Sequence, residues 1–165
     1  MYNSPWKMNK RQYFTDFVTI PFLILTALFF VTFVSWQFVL GMLGWSLAEY
    51  LIHRFIFHKM YRRDHWMHHM DVEEYIGIQG WKIFLMYLVG YVVSSYLGVA
   101  SLFIGFSTGY LCYITMHFFM HRPKTLPYRF MKPLIRNHNL HHETGIEMNY
   151  GVTSPLWDYV FRTKV

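Results

Sequence analysis

The residues of this chain best suited to chemistry are its ten histidines, and all of them fall into four tight clusters. These are His53 with His58; His65, His68 and His69; His117 with His121; and His138, His141 and His142. As motifs they read H-x4-H, H-x2-H-H, H-x3-H and H-x2-H-H. Neutral imidazole ligates iron, zinc, copper or nickel, and ten rings can fill two coordination spheres. Each cluster lies where an apolar stretch meets a charged one, which places this metal chemistry at a membrane surface.

Spacing sharpens the reading. His117 and His121 are four apart and share one helix face, just before Arg122-Pro123 stops the helix. The two H-x2-H-H boxes each present three rings to one side of a helix. A buried histidine is costly unless its ring nitrogens find partners, and a metal satisfies several at once. His53 and His58 are less regular, since an ideal α-helix separates residues five apart by about 140°. Either the helix ends near Phe57 or the two rings serve different metals.

Three polar residues stand near the boxes. Glu49, one turn before His53 in an apolar run, is expected to accept a hydrogen bond from the far nitrogen of a ligand histidine. Pairing with Arg54 or Lys59 is the alternative. Asp158 is expected to orient a histidine in the same way, or else to serve as a turn or capping residue. Asn149 lines the site or shapes the loop before Gly151. Tyr150, Thr153 and Trp157 are candidates to line a substrate path.

The elements that position these residues belong to a membrane. The chain is 54% hydrophobic and only 15% charged, too apolar for an ordinary soluble domain. Phe17–Ala48 and Ile83–His121 carry no Asp, Glu, Lys or Arg. A spanning helix needs about 20 residues, so four are expected, near Phe14–Val34, Trp36–Phe57, Trp81–Gly98 and Ser101–Met120. The fold class is then an all-α integral membrane protein, with two hairpins and a cytoplasmic histidine-rich helical cap. It forms a single domain over 1–165, with 1–16 as a cytoplasmic N-terminal segment. All fifteen basic residues lie before the first helix, between the second and third, or after the fourth. The positive-inside rule puts both termini and every histidine cluster in the cytoplasm. The net charge of +6 is read as topology and lipid contact rather than nucleic-acid binding. The lone Cys112 forms no intrachain disulfide.

The ordered set of four boxes resembles the fatty acid hydroxylase/sterol desaturase superfamily, the membrane histidine-box di-iron oxygenases. The segment Asn149–Thr163, with its Thr-Ser-Pro-Leu-Trp-Asp run, looks like that superfamily's C-terminal signature, and the likeness covers a core of 49–163. It implies two iron ions held by His53, His58, His65, His68, His69, His117, His121, His138, His141 and His142. Zinc is able to replace iron in purified protein. It also implies O2 as co-substrate and oxidation of an unactivated C–H bond in a fatty acyl chain of a membrane lipid.

His58 and His65 are closer in sequence than in the acyl and sterol branches, a spacing more like bacterial carotenoid hydroxylases. The H-x3-H box and the C-terminal run look like the acyl and sterol branches. Sterol oxidation or desaturation and carotenoid hydroxylation are therefore the alternative activities. No His-Pro-Gly-Gly haem signature stands before the core, so electrons are expected from a separate cytochrome b5-like or ferredoxin-type donor on the basic face. The expected location is a bacterial inner membrane or the endoplasmic reticulum. The non-enzymatic alternative is a metal- or haem-binding membrane protein. Neither the oligomeric state nor the choice between hydroxylation and desaturation follows from these residues.

Overall fold

The computed structural model describes residues 7–72, 75, 77–144 and 147–165, and no strand occurs among them. In chain order the helices are α1 (Lys10–Phe14), α2 (Asp16–Phe30), α3 (Ser35–Leu51), a π-helical segment (Ile52–Met60), α4 (Arg62–Met70), α5 (Gly80–Tyr96), α6 (Ala100–Met120), α7 (Leu126–Phe130), α8 (Lys132–Thr144) and α9 (Leu156–Val160). The first six residues of the expected N-terminal segment, together with Glu73 and Glu74, lie outside the described residues. The described chain divides into two compact units, Met1–Trp45 with Glu74–Leu111, and Ser46–Glu73 with Cys112–Val165. The boundaries fall inside α3 and α6.

The first unit is an apolar helical bundle. Its core is Ile20, Ile83 and Tyr87, with Leu23, Phe103 and Phe106 packed against them. Much of the remaining apolar surface faces outward: Phe22 is 64% exposed, Phe29 83% and Val89 61%. Lys10–Phe30 and Ala100–Met120 are each long and apolar enough to cross a membrane. An apolar surface of this extent suits contact with lipid.

Two glycines set the spacing between α3 and α6. A Cβ on Gly41 would lie 2.0 Å from the Leu102 carbonyl oxygen, and one on Gly105 would lie 2.0 Å from that of Phe38. The backbones touch here, as small residues allow in membrane helices.

The turns at 31–34 and 97–99 carry no charge, and a polar side chain ties the first of them instead. Ser101 Oγ accepts from Val34 N at 2.9 Å. Gly98, at φ +70, ends the α5 turn in left-handed geometry that suits glycine. The α2–α3 connection falls at Val31–Val34, slightly before the expected turn at Trp36. Asp16 is buried, and the Tyr110 hydroxyl donates to its Oδ2 at 2.5 Å. That acid was not among the candidates read from the sequence.

The second unit holds every histidine. Its apolar core is Met120, Ile135 and Val152, with Tyr113, Met116 and Met131 packed alongside. Here α3 passes directly into the π-helical segment, so the helix runs on to Met60 rather than ending near Phe57.

Candidate metal centre

The π-helical segment resolves the irregular spacing of the first pair. Its hydrogen bonds run i→i+5, as from Tyr61 N to Ile56 O at 2.9 Å, which stacks residues five apart one turn over the other. His53 and His58 therefore share a face, with ring centroids 5.1 Å apart. The π-helix is a rare element that tends to occur at functional sites.

The histidines converge into two groups. His53, His58, His65 and His141 offer ligand atoms that all lie within 4.8 Å of one another, and so do His68, His117, His121, His138 and His142. Each H-x2-H-H box is split between them. From α4, His65 joins the four-histidine group and His68 the five-histidine group. From α8, His141 joins the first group, and His138 and His142 join the second. Rings at i, i+3 and i+4 on one short helix can serve two adjacent centres in this way. His69 belongs to neither set of mutually close ligand atoms. Its Nε2 lies 3.0 Å from His65 Nε2, and its ring stacks on His142 with centroids 4.1 Å apart.

The contacts within each group are made by Nε2 atoms. His53 meets His65 at 3.0 Å, and His58 meets His141 at 3.0 Å. In the other group the distances are 3.2 Å for His68 with His117, 3.3 Å for His117 with His121 and 3.1 Å for His121 with His138. One proton cannot serve several such contacts at once. Both ring nitrogens of His142, and Nδ1 of His69 and His138, are buried without a hydrogen-bond partner. A buried donor or acceptor left unpaired costs about 1–3 kcal/mol. A cation in each group would be coordinated by the converging lone pairs, and it would give His142 a partner. An all-nitrogen donor set of this kind fits iron, zinc or copper.

Two tautomers follow from the geometry. His53 Nδ1 lies 2.6 Å from the Tyr150 carbonyl, and His141 Nδ1 lies 2.7 Å from that of Met148. A carbonyl only accepts, so Nδ1 carries the proton in both rings and Nε2 presents its lone pair.

Burial also keeps the imidazoles neutral. It is the main cause that lowers His58 and His68 to about 3 and His69 and His121 to about 4, from the usual 6.5. Neighbouring charge adds to this: His141 and Arg62 act on His58, and Arg122 acts on His121. His65, His138, His141 and His142 are lowered too, again chiefly by burial.

The sign of the pH dependence follows from these shifts. Above about 6.5 the imidazoles are neutral in both folded and unfolded chains. Below that, the unfolded chain takes up protons that the folded chain refuses until about pH 3–4. Stability is therefore full above about 6.5 and is lost as the pH falls through that window. The thermal midpoint of the metal-free protein should drop between about pH 7.5 and about pH 5. A midpoint that stayed constant or rose would contradict the neutral-histidine assignment.

The residues expected to support the ligands lie around one loop, Met148–Thr153. Glu49 is 3% exposed, and its Oε1 accepts from the backbone N–H of Val152 (2.7 Å) and Thr153 (2.9 Å). Its Oε2 accepts from the Thr153 hydroxyl at 2.5 Å. Asp158 is fully buried. Its Oδ1 accepts from Tyr150 N and the Thr163 hydroxyl, and its Oδ2 from Gly151 N, each at 2.8 Å.

Asn149 is buried with φ +54, and its Oδ1 accepts from Val165 N at 3.0 Å. Tyr150 sets its ring edge-on to His53 and His58, with centroids 5.7 and 5.2 Å away. Trp157 donates to Ser46 Oγ at 3.0 Å and lies against Phe161. Sequence reading missed the π-helical register and the loop carbonyls that bond His53 and His141. Backbone acceptors leave no mark on residue type, so only the motif spacing hinted at them.

Two convergent histidine groups on helices define a candidate metal centre. A family model described as fatty acid hydroxylase matches residues 38–163, and the chain belongs to that family. The chain is 31% identical over 146 residues to a ceramide very long chain fatty acid hydroxylase of Schizosaccharomyces pombe, covering 77% of this chain and 42% of that protein. It is 29% identical over 150 residues to a fatty acid 2-hydroxylase of Rattus norvegicus, covering 78% and 39%. The chain thus spans about two fifths of the length of these relatives. Among solved structures it is similar to full-length scs7p, in which only the hydroxylase domain is visible. That likeness has a TM-score of 0.69 at 27% identity, covering 97% of this chain and 68% of that one.

Proposed function

We propose that this chain is an O2-dependent di-iron hydroxylase of fatty acyl chains in membrane lipids, acting at the 2-position. The observation that carries the proposal is the pair of convergent histidine groups, within each of which the ligand atoms lie within 4.8 Å of one another. The names of the relatives supply the acyl substrate and the position. His53, His58, His65 and His141 hold one ion, and His68, His117, His121, His138 and His142 hold the other. His69, with its Nε2 3.0 Å from that of His65 and its ring stacked on His142, borders both groups and is assigned to neither ion.

Bound iron supplies the activation of O2 needed to break a C–H bond. The protein orients the ligands, keeps them neutral and excludes water. Tyr150 stands beside the four-histidine group, its ring edge-on to His53 and His58. The lipid approaches from the bilayer, and a separate cytochrome b5-like or ferredoxin-type donor docks on the basic surface.

The same reading extends to topology, with four passes in two hairpins and both termini and the metal centre in the cytoplasm. Lys10–Phe30 and Ala100–Met120 form two of the passes. α3, 17 residues long, forms a third and ends before the π-helical segment that carries His53 and His58. α5 is 17 residues long, rises about 26 Å, and forms the fourth at the short end of the spanning range.

Lipids from cells expressing the wild type and His68→Ala are to be compared by mass spectrometry. The wild type alone should yield acyl chains with one added oxygen, and fragmentation should place it beside the carbonyl. Equal lipid profiles in a host shown to supply electrons would refute the proposal. Loss of two hydrogens instead would replace hydroxylation by desaturation.

A further inference from the structure

Four consecutive backbone N–H groups, those of Tyr150, Gly151, Val152 and Thr153, all donate to two buried carboxylates, Asp158 and Glu49. The carbonyls of the same loop, Met148 O and Tyr150 O, take the Nδ1–H of His141 and His53. Both rings belong to the four-histidine group. We propose that Asp158 and Glu49 are positioning residues that set the tautomer and aim of His53 and His141, acting through the loop backbone rather than by touching the rings. The inference rests on the histidine groups being metal sites. It assigns the support of one site, and not the other, to this loop.

The carboxylates are themselves tethered. The Arg54 guanidinium donates to the Tyr50 hydroxyl at 2.8 Å. Tyr50 meets Thr163 Oγ1 at 2.9 Å, and Thr163 donates to Asp158. Because Arg54 and Thr163 both donate onward, the Tyr50 hydroxyl donates to Thr163, and the relay runs in one direction to Asp158. Asn137 Nδ2 adds a tie to the Gly151 carbonyl at 3.1 Å. Gly151 is required, since a Cβ there would sit 2.1 Å from Ser154 O.

The two carboxylates differ in what they tolerate. Asp158 receives a backbone N–H on each oxygen. In Asp158→Asn one of those N–H groups must face an amide NH2, whichever way the side chain is turned. Glu49 receives its two N–H groups on one oxygen, and the other accepts from the Thr153 hydroxyl. In Glu49→Gln the amide oxygen keeps both N–H groups, and the Thr153 hydroxyl turns to accept. Glu49→Leu removes all three acceptor contacts.

The test is cobalt titration of the full-length protein in detergent, following the visible absorption of each bound ion, with circular dichroism as a check on the fold. Wild type should bind two cobalt ions. Asp158→Asn and Glu49→Leu should weaken one of them by about 10–100-fold and spare the other, and Glu49→Gln should restore the wild-type titration. If Asp158→Asn fails to fold, Glu49→Leu against Glu49→Gln decides the matter. Both ions at unchanged affinity in Glu49→Leu, or equal loss of both ions with helicity intact, would overturn the positioning role. A wild type that took up no cobalt would instead refute the metal reading beneath it.

Discussion

His141→Ala is expected to purify with helical content intact but with one metal ion where the wild type holds two, and with its hydroxylase activity gone. His141 is one of only four ligands in its group, and its Nε2 lies 3.0 Å from that of His58. Removing it leaves three nitrogens and strips the Met148 carbonyl of its donor. The loss should exceed the about 10–100-fold that removing a ligand's hydrogen-bond partner costs. His142→Ala offers a contrast within the same box. His142 stands in a group of five, so four histidines remain there. That variant should retain both ions, the second more weakly held. Elemental analysis of the two purified variants separates the cases. Two tightly held ions in His141→Ala would sink the assignment of the four-histidine group.

The second large effect lies in the first unit, which holds none of the histidines. Gly105→Ala places a methyl 2.0 Å from the Phe38 carbonyl oxygen, and Gly41→Ala does the same against Leu102. The obstacle is backbone, which cannot rotate aside as a side chain would, so α3 and α6 must part. Overpacking in a well-packed core typically costs about 1–3 kcal/mol, and this backbone clash should reach the upper end or beyond. Either variant should lose most of the folded protein recovered from membranes, and the pair together should do no worse than the single that first separates the helices. Gly98→Ala is the control. No atom lies within 4 Å of a Cβ there, and only the positive φ is strained. Wild-type yield and melting behaviour in Gly105→Ala would contradict the close crossing.

The chemistry of this protein is more legible in its sequence than its geometry. Four histidine boxes are visible because ligation would demand one residue type at helical intervals, and all ten histidines of the chain fall within them. The helical class and the apolar stretches are equally plain, because hydrophobicity over about 20 residues needs no partner to be read. What could not be read is which ring serves which centre. His65 and His68 are three apart yet enter different groups, and that depends on where α4 lies beside α8. The π-helical register of Ile52–Met60 was hidden, since an irregular spacing of five looks like a helix end. Glu49 and Asp158 stood out as acids in apolar surroundings, but their hydrogen bonds run to the N–H groups of a loop. Asp16 went unnoticed because it sits at the edge of a charged segment, where an acid looks solvated. Its partner Tyr110 is 94 residues further along the chain.

The most direct test of the central claim is to supply isotopically heavy O2 to purified, iron-loaded protein with a reductant and a ceramide whose acyl chain is unmodified. The product should be a 2-hydroxyacyl lipid whose new oxygen is heavy, formed by the wild type and absent with His141→Ala. A hydroxyl carrying the light oxygen of water, or equal product from His141→Ala, would contradict oxygenation at the histidine centre.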